Sequence, residues 1–185
     1  MPLILGIDPG FASIGIAIVK SETMEVVELR LVETEKSNKK LNVLATSDNF
    51  RRSKEIYQAV DSVIREYDPA MIAVESMSFP RNASSAAKMA YAWGVLAAIA
   101  AQTKIPVIQS TPQSIKKRLT SSIKADKNQI KQALFAKYGE CILLEAGLKN
   151  YPKGSWEHPL DALGAVLTAS ESEIFNAINT LQKAT

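Results

Sequence analysis

The first 33 residues hold three strand patterns separated by turns too short for anything but hairpins, and this constrains the fold more than any other feature. Leu3-Ile4-Leu5-Gly6-Ile7-Asp8 is an apolar run ending on an acid, and the Pro9-Gly10 pair after it marks a turn. From Ser13 to Lys20, Ile14, Ile16 and Ile18 alternate with small residues. From Met24 to Val32, Val27, Leu29 and Leu31 alternate with charged positions, which gives a strand with one wet face. Three strands joined this way form an antiparallel meander. The pattern then changes. Residues 34–47 read as a polar loop, and Ile56, Tyr57, Val60, Val63, Ile64 and Tyr67 recur at helical spacing within 50–67. Asp68-Pro69 ends that helix. Met71 to Val74 is a short apolar strand with Glu75 at its end. Ala83 to Thr103 is an Ala-rich helix, apolar nearly all round and therefore expected to be buried on more than one side. Pro106 to Ile108 reads as a fifth strand. Thr111-Pro112 opens a short helix to Leu119, and Asp126 caps another that Gly139 closes. Residues 140–157 read as irregular, and a last helix runs from His158 to about Ile178. The order predicts an α/β fold, a five-stranded mixed sheet flanked by helices, in one domain over 1–185.

Composition narrows the class. A 185-residue chain that is 46% apolar and 22% charged can bury a core without staples, which excludes disorder and coiled coil. The single Cys141 closes no intrachain disulfide, and with one histidine no Cys/His zinc site can form. The longest apolar run, Ala90 to Ala101, is too short to span a bilayer, and no leader is apparent, so a soluble cytoplasmic protein with no membrane partner is expected. Net charge is only +3, yet residues 104–138 carry eight basic side chains against Asp126 alone. Such a stretch fits a polyanion meeting one face; the plainer reading is a solvated surface.

Four residues could carry chemistry. Asp8 and Glu75 each end an apolar strand, and His158 and Asp161 stand three apart at a helix start, on one face. Singly each has a plain explanation: a turn-forming Asp, a strand end meeting solvent, a first-turn acid complementing the helix dipole. Jointly, carboxylates and one imidazole on three rigid elements suit Mg²⁺ or Mn²⁺. Two such ions can drive phosphodiester hydrolysis. Spacing alone leaves open whether the four converge.

Gly6-Ile7-Asp8-Pro9-Gly10, Val74-Glu75-Ser76 and His158-Pro159-Leu160-Asp161-Ala162-Leu163 resemble, in order, the motifs of the RuvC family of Holliday-junction resolvases in the RNase H-like superfamily. Arg81-Asn82-Ala83-Ser84-Ser85-Ala86, Tyr91-Ala92-Trp93-Gly94, Gln113-Ser114-Ile115-Lys116 and Ala125-Asp126-Lys127-Asn128-Gln129-Ile130 continue the likeness. The resemblance implies an RNase H-like fold and a homodimer that nicks four-way DNA junctions symmetrically. It implies catalytic and metal-binding roles for Asp8, Glu75, His158 and Asp161, with Mg²⁺, or Mn²⁺ in substitution, as two ions per site. Lys116 and Lys127 match lysines near the scissile phosphate, and Lys117, Lys124, Phe79 and Arg81 join them as expected DNA contacts. The helix 83–103 would supply the dimer seam.

The chain also departs from the family pattern. Many relatives carry aspartate at the His158 position. The aromatic that reads the junction centre is displaced from Ser78 to Phe79. Residues 34–48 and 142–157 look longer than in typical cellular relatives, which points to a divergent, phage- or virus-type member. An RNase H-like nuclease for flaps or other branched DNA is the main alternative. An actin-like kinase would need a second domain, and a non-catalytic DNA-binding module would be expected to have lost an acid.

Overall fold

In the computed structural model, residues 1–77 and 82–183 are described. Strands β1 (Leu3–Asp8), β2 (Ser13–Lys20), β3 (Val26–Glu33), β4 (Met71–Glu75) and β5 (Val107–Ser110) form one sheet in the order β3-β2-β1-β4-β5. β1, β2 and β3 pair antiparallel, while β1–β4 and β4–β5 are parallel. The sheet is therefore mixed, and β1 lies at its centre. Helix α1 (Ala45–Tyr67) leads into β4, and α2 (Ala83–Thr103) leads into β5. Then come α3 (Pro112–Thr120), α4 (Lys127–Tyr138), α5 (Glu140–Glu145), α6 (Glu157–Ala169) and α7 (Glu173–Lys183).

Strand alternation separates two cores. Leu5, Ile7, Ile14, Ile16 and Ile18 pack with Ile56, Val60 and Val63 of α1 and Leu96 and Ile99 of α2. On the other face, Ile4, Ala17, Val19 and Ala73 pack with Leu160, Leu163, Val166 and Leu167 of α6. This second face is lined with small residues where α6 crosses. Gly6 is paired with Ala17 on one side and Ala73 on the other, a row across three strands. A methyl on Gly6 would meet the Ala162 carbonyl oxygen at 2.5 Å, so the helix backbone sits directly on the strand. The four large α6 side chains, at about 1.5–3 kcal/mol each for full burial, anchor the helix firmly enough to fix its first turn.

Four expectations change. α1 begins at Ala45 rather than near 50, because Asp48 accepts hydrogen bonds from Ser37 N (3.0 Å) and Ser37 Oγ (2.6 Å) and pairs with Arg51 (2.8 Å). Residues 140–157 are mostly ordered into α5 and 3-10 turns at Leu148–Asn150 and Lys153–Ser155. The last helix is broken at 170–172. The hydroxyls of Ser170 and Ser172 donate back to the carbonyls of Leu167 and Ala169, and Ser172 Oγ then accepts from Phe175 N at 3.2 Å, starting α7 afresh. Finally, α2 buries only Ala92, Leu96 and Ile99, and among the described residues no element covers its outer side.

Candidate metal-dependent nuclease site

Asp8 and Glu75 end neighbouring parallel strands, with Ile7 paired to Val74, so both acids emerge at the carboxyl edge of the sheet. Ligand sites in open α/β sheets form at this edge. The third element arrives because of a glycine. Gly15 on β2 is paired with Asp8, and a methyl on it would lie 1.8 Å from the His158 carbonyl oxygen. Only a bare backbone there lets the start of α6 reach the strand. His158 Nδ1 consequently stands 2.8 Å from Asp8 Oδ2. Asp161, one turn further on, faces the same patch.

The imidazole and Asp8 form a defined pair. The Nδ1–H donates to the carboxylate, and this bond raises the His158 pKa above its ordinary value against the opposing effect of burial. In the neutral ring this tautomer leaves the Nε2 lone pair free. Burial, reinforced by Asp8 and Asp161, pushes the Glu75 carboxyl up to about 8. Burial and then Asp8 push Asp161 up to about 7, with Lys127 opposing. Lys127 Nζ lies 2.6 Å from Glu157 Oε2, and this contact raises its own pKa.

Two clefts flank these acids. One is lined by Glu75, Lys116, Lys127 and Asp161. The other is lined by Lys127, Asn128, Lys131, Lys153, Glu157 and Asp161. Lys116 and Lys127 thus stand beside the carboxylates, whereas Lys117 and Lys124 are exposed and line neither cleft. Phe79 and Arg81 lie outside the described residues. Lys131 enters the sequence reading only as part of the basic stretch 104–138, and Lys153 and the seating roles of Gly6 and Gly15 escape it. Glycines inside otherwise apolar strands were the available signal for the last two.

The four groups share one patch, but among the described residues no three His, Cys, Asp or Glu side chains stand at ligand spacing. Asp8 is turned toward His158, and the three carboxyls repel one another. A half-buried set of three acids beside an imidazole is nevertheless a donor set for a hard divalent cation, whose charge would offset that repulsion. Among the described residues no helix is long and apolar enough to cross a membrane.

Comparison with known proteins accords with this geometry. Residues 4–138 match the family model described as crossover junction endodeoxyribonuclease RuvC. The chain is 34% identical over 134 residues to the RuvC of Pseudothermotoga lettingae, covering 71% of this chain and 77% of the relative. It is 31% identical over 178 residues to that of Brevibacillus brevis, covering 95% and 96%. Among solved structures, Thermus thermophilus RuvC in complex with a Holliday junction substrate superposes with a TM-score of 0.69 at 26% identity, covering 97% of both chains. The yeast mitochondrial Holliday junction resolvase Ydc2, at a TM-score of 0.58 and 14% identity over 96% of this chain and 85% of its own, shares the fold.

Proposed function

The chain belongs to the RuvC family of crossover junction endodeoxyribonucleases, with the RNase H-like fold, and from that premise we propose that it resolves four-way DNA junctions by paired symmetric nicks. The observation that carries this reading is the meeting of Asp8, Glu75, His158 and Asp161 at one sheet edge, with two of the acids pushed toward neutrality. Raised carboxyl pKa values beside lysines mark a site built for chemistry rather than for stability.

Asp8, Glu75, His158 and Asp161 would hold the metal. Two Mg²⁺ ions, or Mn²⁺ in their place, would supply Lewis-acid stabilisation of the charge that develops on phosphodiester hydrolysis. His158 orients Asp8 through its Nδ1–H. Lys116 and Lys127 bring positive charge to the phosphate of the cut strand, and Lys117 and Lys124, exposed on the same basic stretch, extend the DNA-facing surface. Phe79 and Arg81 are proposed to contact the junction itself.

Paired nicks need two sites, and the uncovered side of α2 supports a homodimer. Between α2 and β5, Trp93, Ala97, Ala100 and Val107 line an apolar groove, and Trp93 Nε1 is buried with no acceptor among the described residues. We read the chain as a single cytoplasmic nuclease domain. The test is a cleavage panel of four-way junction, three-way junction, flap and duplex in Mg²⁺. Opposed nicks on the four-way junction are expected; preferential flap cutting would replace this reading with a flap nuclease.

A further inference from the structure

Past the carboxylates, the surface continues into a cleft of about 220 Å³ between α4 and the turn Lys153–Ser155. Asp161 and Lys127 line both this cleft and the one beside Glu75, so the two adjoin. Lys127 pairs with Glu157 at 2.6 Å. Lys131 lies one helical turn after Lys127 on the same face of α4, and Lys153 reaches the cleft from the turn. Among the described residues neither Lys131 nor Lys153 forms a salt bridge, although Glu157 and Asp161 line the same cleft, so both ammonium groups can turn to an incoming anion.

The turn that carries Lys153 is held rigidly. Trp156 is buried, its indole N–H donates to the Tyr151 carbonyl at 3.0 Å, and its ring contacts Phe135 of α4 at a centroid distance of 6.2 Å. Lys153 Nζ lies 5.8 Å from that indole centroid, so the side chain lies along a fixed surface. A lysine ordered before binding loses less freedom when it meets an anion. The turn also lies beyond residue 138, where the match to the family model ends.

We propose that Lys131 and Lys153 grip a phosphate next to the scissile one on the strand being cut, so that this cleft sets the strand's register against the carboxylates. The inference rests on the junction-cleaving reading and adds a phosphate subsite to it. Lysines act on phosphates as point charges without reading sequence, so the subsite positions DNA and leaves base choice untouched.

The test uses Lys153→Met and Lys131→Met, which keep the aliphatic stem and drop the charge, with Lys153→Arg as the charge-retaining control. Thermal unfolding verifies that each variant folds. Junction binding is measured without metal across a salt series, on DNA carrying single methylphosphonates at each phosphate flanking the cut. Each Met variant is expected to flatten the slope of log K against log salt by ~0.7–0.9, the yield of one phosphate contact. One flanking methylphosphonate should weaken wild-type binding more than it weakens either Met variant, and Lys153→Arg should behave as wild type. Unchanged slopes, or a methylphosphonate penalty as large in both Met variants as in wild type, overturn the proposal while wild-type cleavage still upholds the resolvase reading. Wild-type protein indifferent to branched DNA overturns both.

Discussion

Asp8 is the residue on which most depends, because it ends the central strand, faces two other carboxyls and pairs with the only histidine. Asp8→Asn keeps the shape and removes the charge, so cleavage should fall by ~10³-fold, about 4 kcal/mol in barrier. Junction affinity, set by the lysines, should stay near wild type in a gel-shift assay. Full cutting by Asp8→Asn would remove it from the chemistry. The raised pKa values carry a second prediction with a definite sign. Glu75 at about 8 and Asp161 at about 7 hold protons in the folded, metal-free chain that the unfolded chain releases near the ordinary carboxyl range. That contribution to stability is present at low pH and is lost as pH rises through those values. The raised His158 acts in the same direction: its contribution is complete below the ordinary histidine pKa and fades above its own. Metal-free protein should therefore melt lower at pH 8.5 than at pH 6. Mg²⁺ should raise the melting temperature more at the higher pH, and the Mg²⁺ concentration for half-maximal cleavage should fall as pH rises from 6 to 8.5. Glu75→Gln, which removes the charge that burial opposes, should stabilise metal-free protein at pH 8.5 by ~1–2 kcal/mol and abolish the Mg²⁺-induced shift. Equal metal requirements at both pH values would show that these protons do not compete with the cation.

Among the elements, α6 is the one whose seating decides whether a site exists. Gly15→Ala would drive a methyl into the His158 carbonyl, where backbone and not a flexible side chain must yield. A loss of ~1–3 kcal/mol or more in chemical denaturation is expected. Cleavage should fall further than stability alone explains, because His158 and Asp161 move with the helix. Near-normal activity in a folded Gly15→Ala protein would show that the first turn of α6 is not held by this contact. This seat also marks the boundary of what the sequence discloses. The strand patterns of β1 and β2, the long α2 and the Asp126 cap were legible because each is a local regularity; the reciprocal Gln129 contact came only with the structure. Asp8, Glu75, His158 and Asp161 were legible as strand-end and helix-start groups. Their meeting was not, since it depends on a glycine 143 residues before His158 in the chain. The break at Ser170–Ser172 was hidden for another reason. The apolar spacing runs across it, and only the hydroxyl bonds to Leu167 and Ala169 stop the helix. The partly covered α2 was legible only in part: an all-round apolar sequence reports that something covers a helix, and it was the family resemblance that put that cover in a dimer seam.

At the scale of the whole molecule, that uncovered face sets the expected assembly. Light scattering at micromolar concentration should return twice the chain mass of 20.2 kDa. A charge placed in the groove, Ala97→Glu, should shift the protein toward monomers and cost it paired nicking more than single nicking. Protein that stays at the monomer mass in its native form would leave the groove without this role. The molecule also joins its extremes, for Asp8 and His158 are hydrogen-bonded across a sequence separation of 150 residues. A polypeptide still emerging from the ribosome can complete the meander and β4, and so expose Asp8 and Glu75, long before residues 158 and 161 have been added. Synthesis order would thus act as a safety catch, and a chain truncated before α6, lacking His158 and Asp161, should cleave no junction.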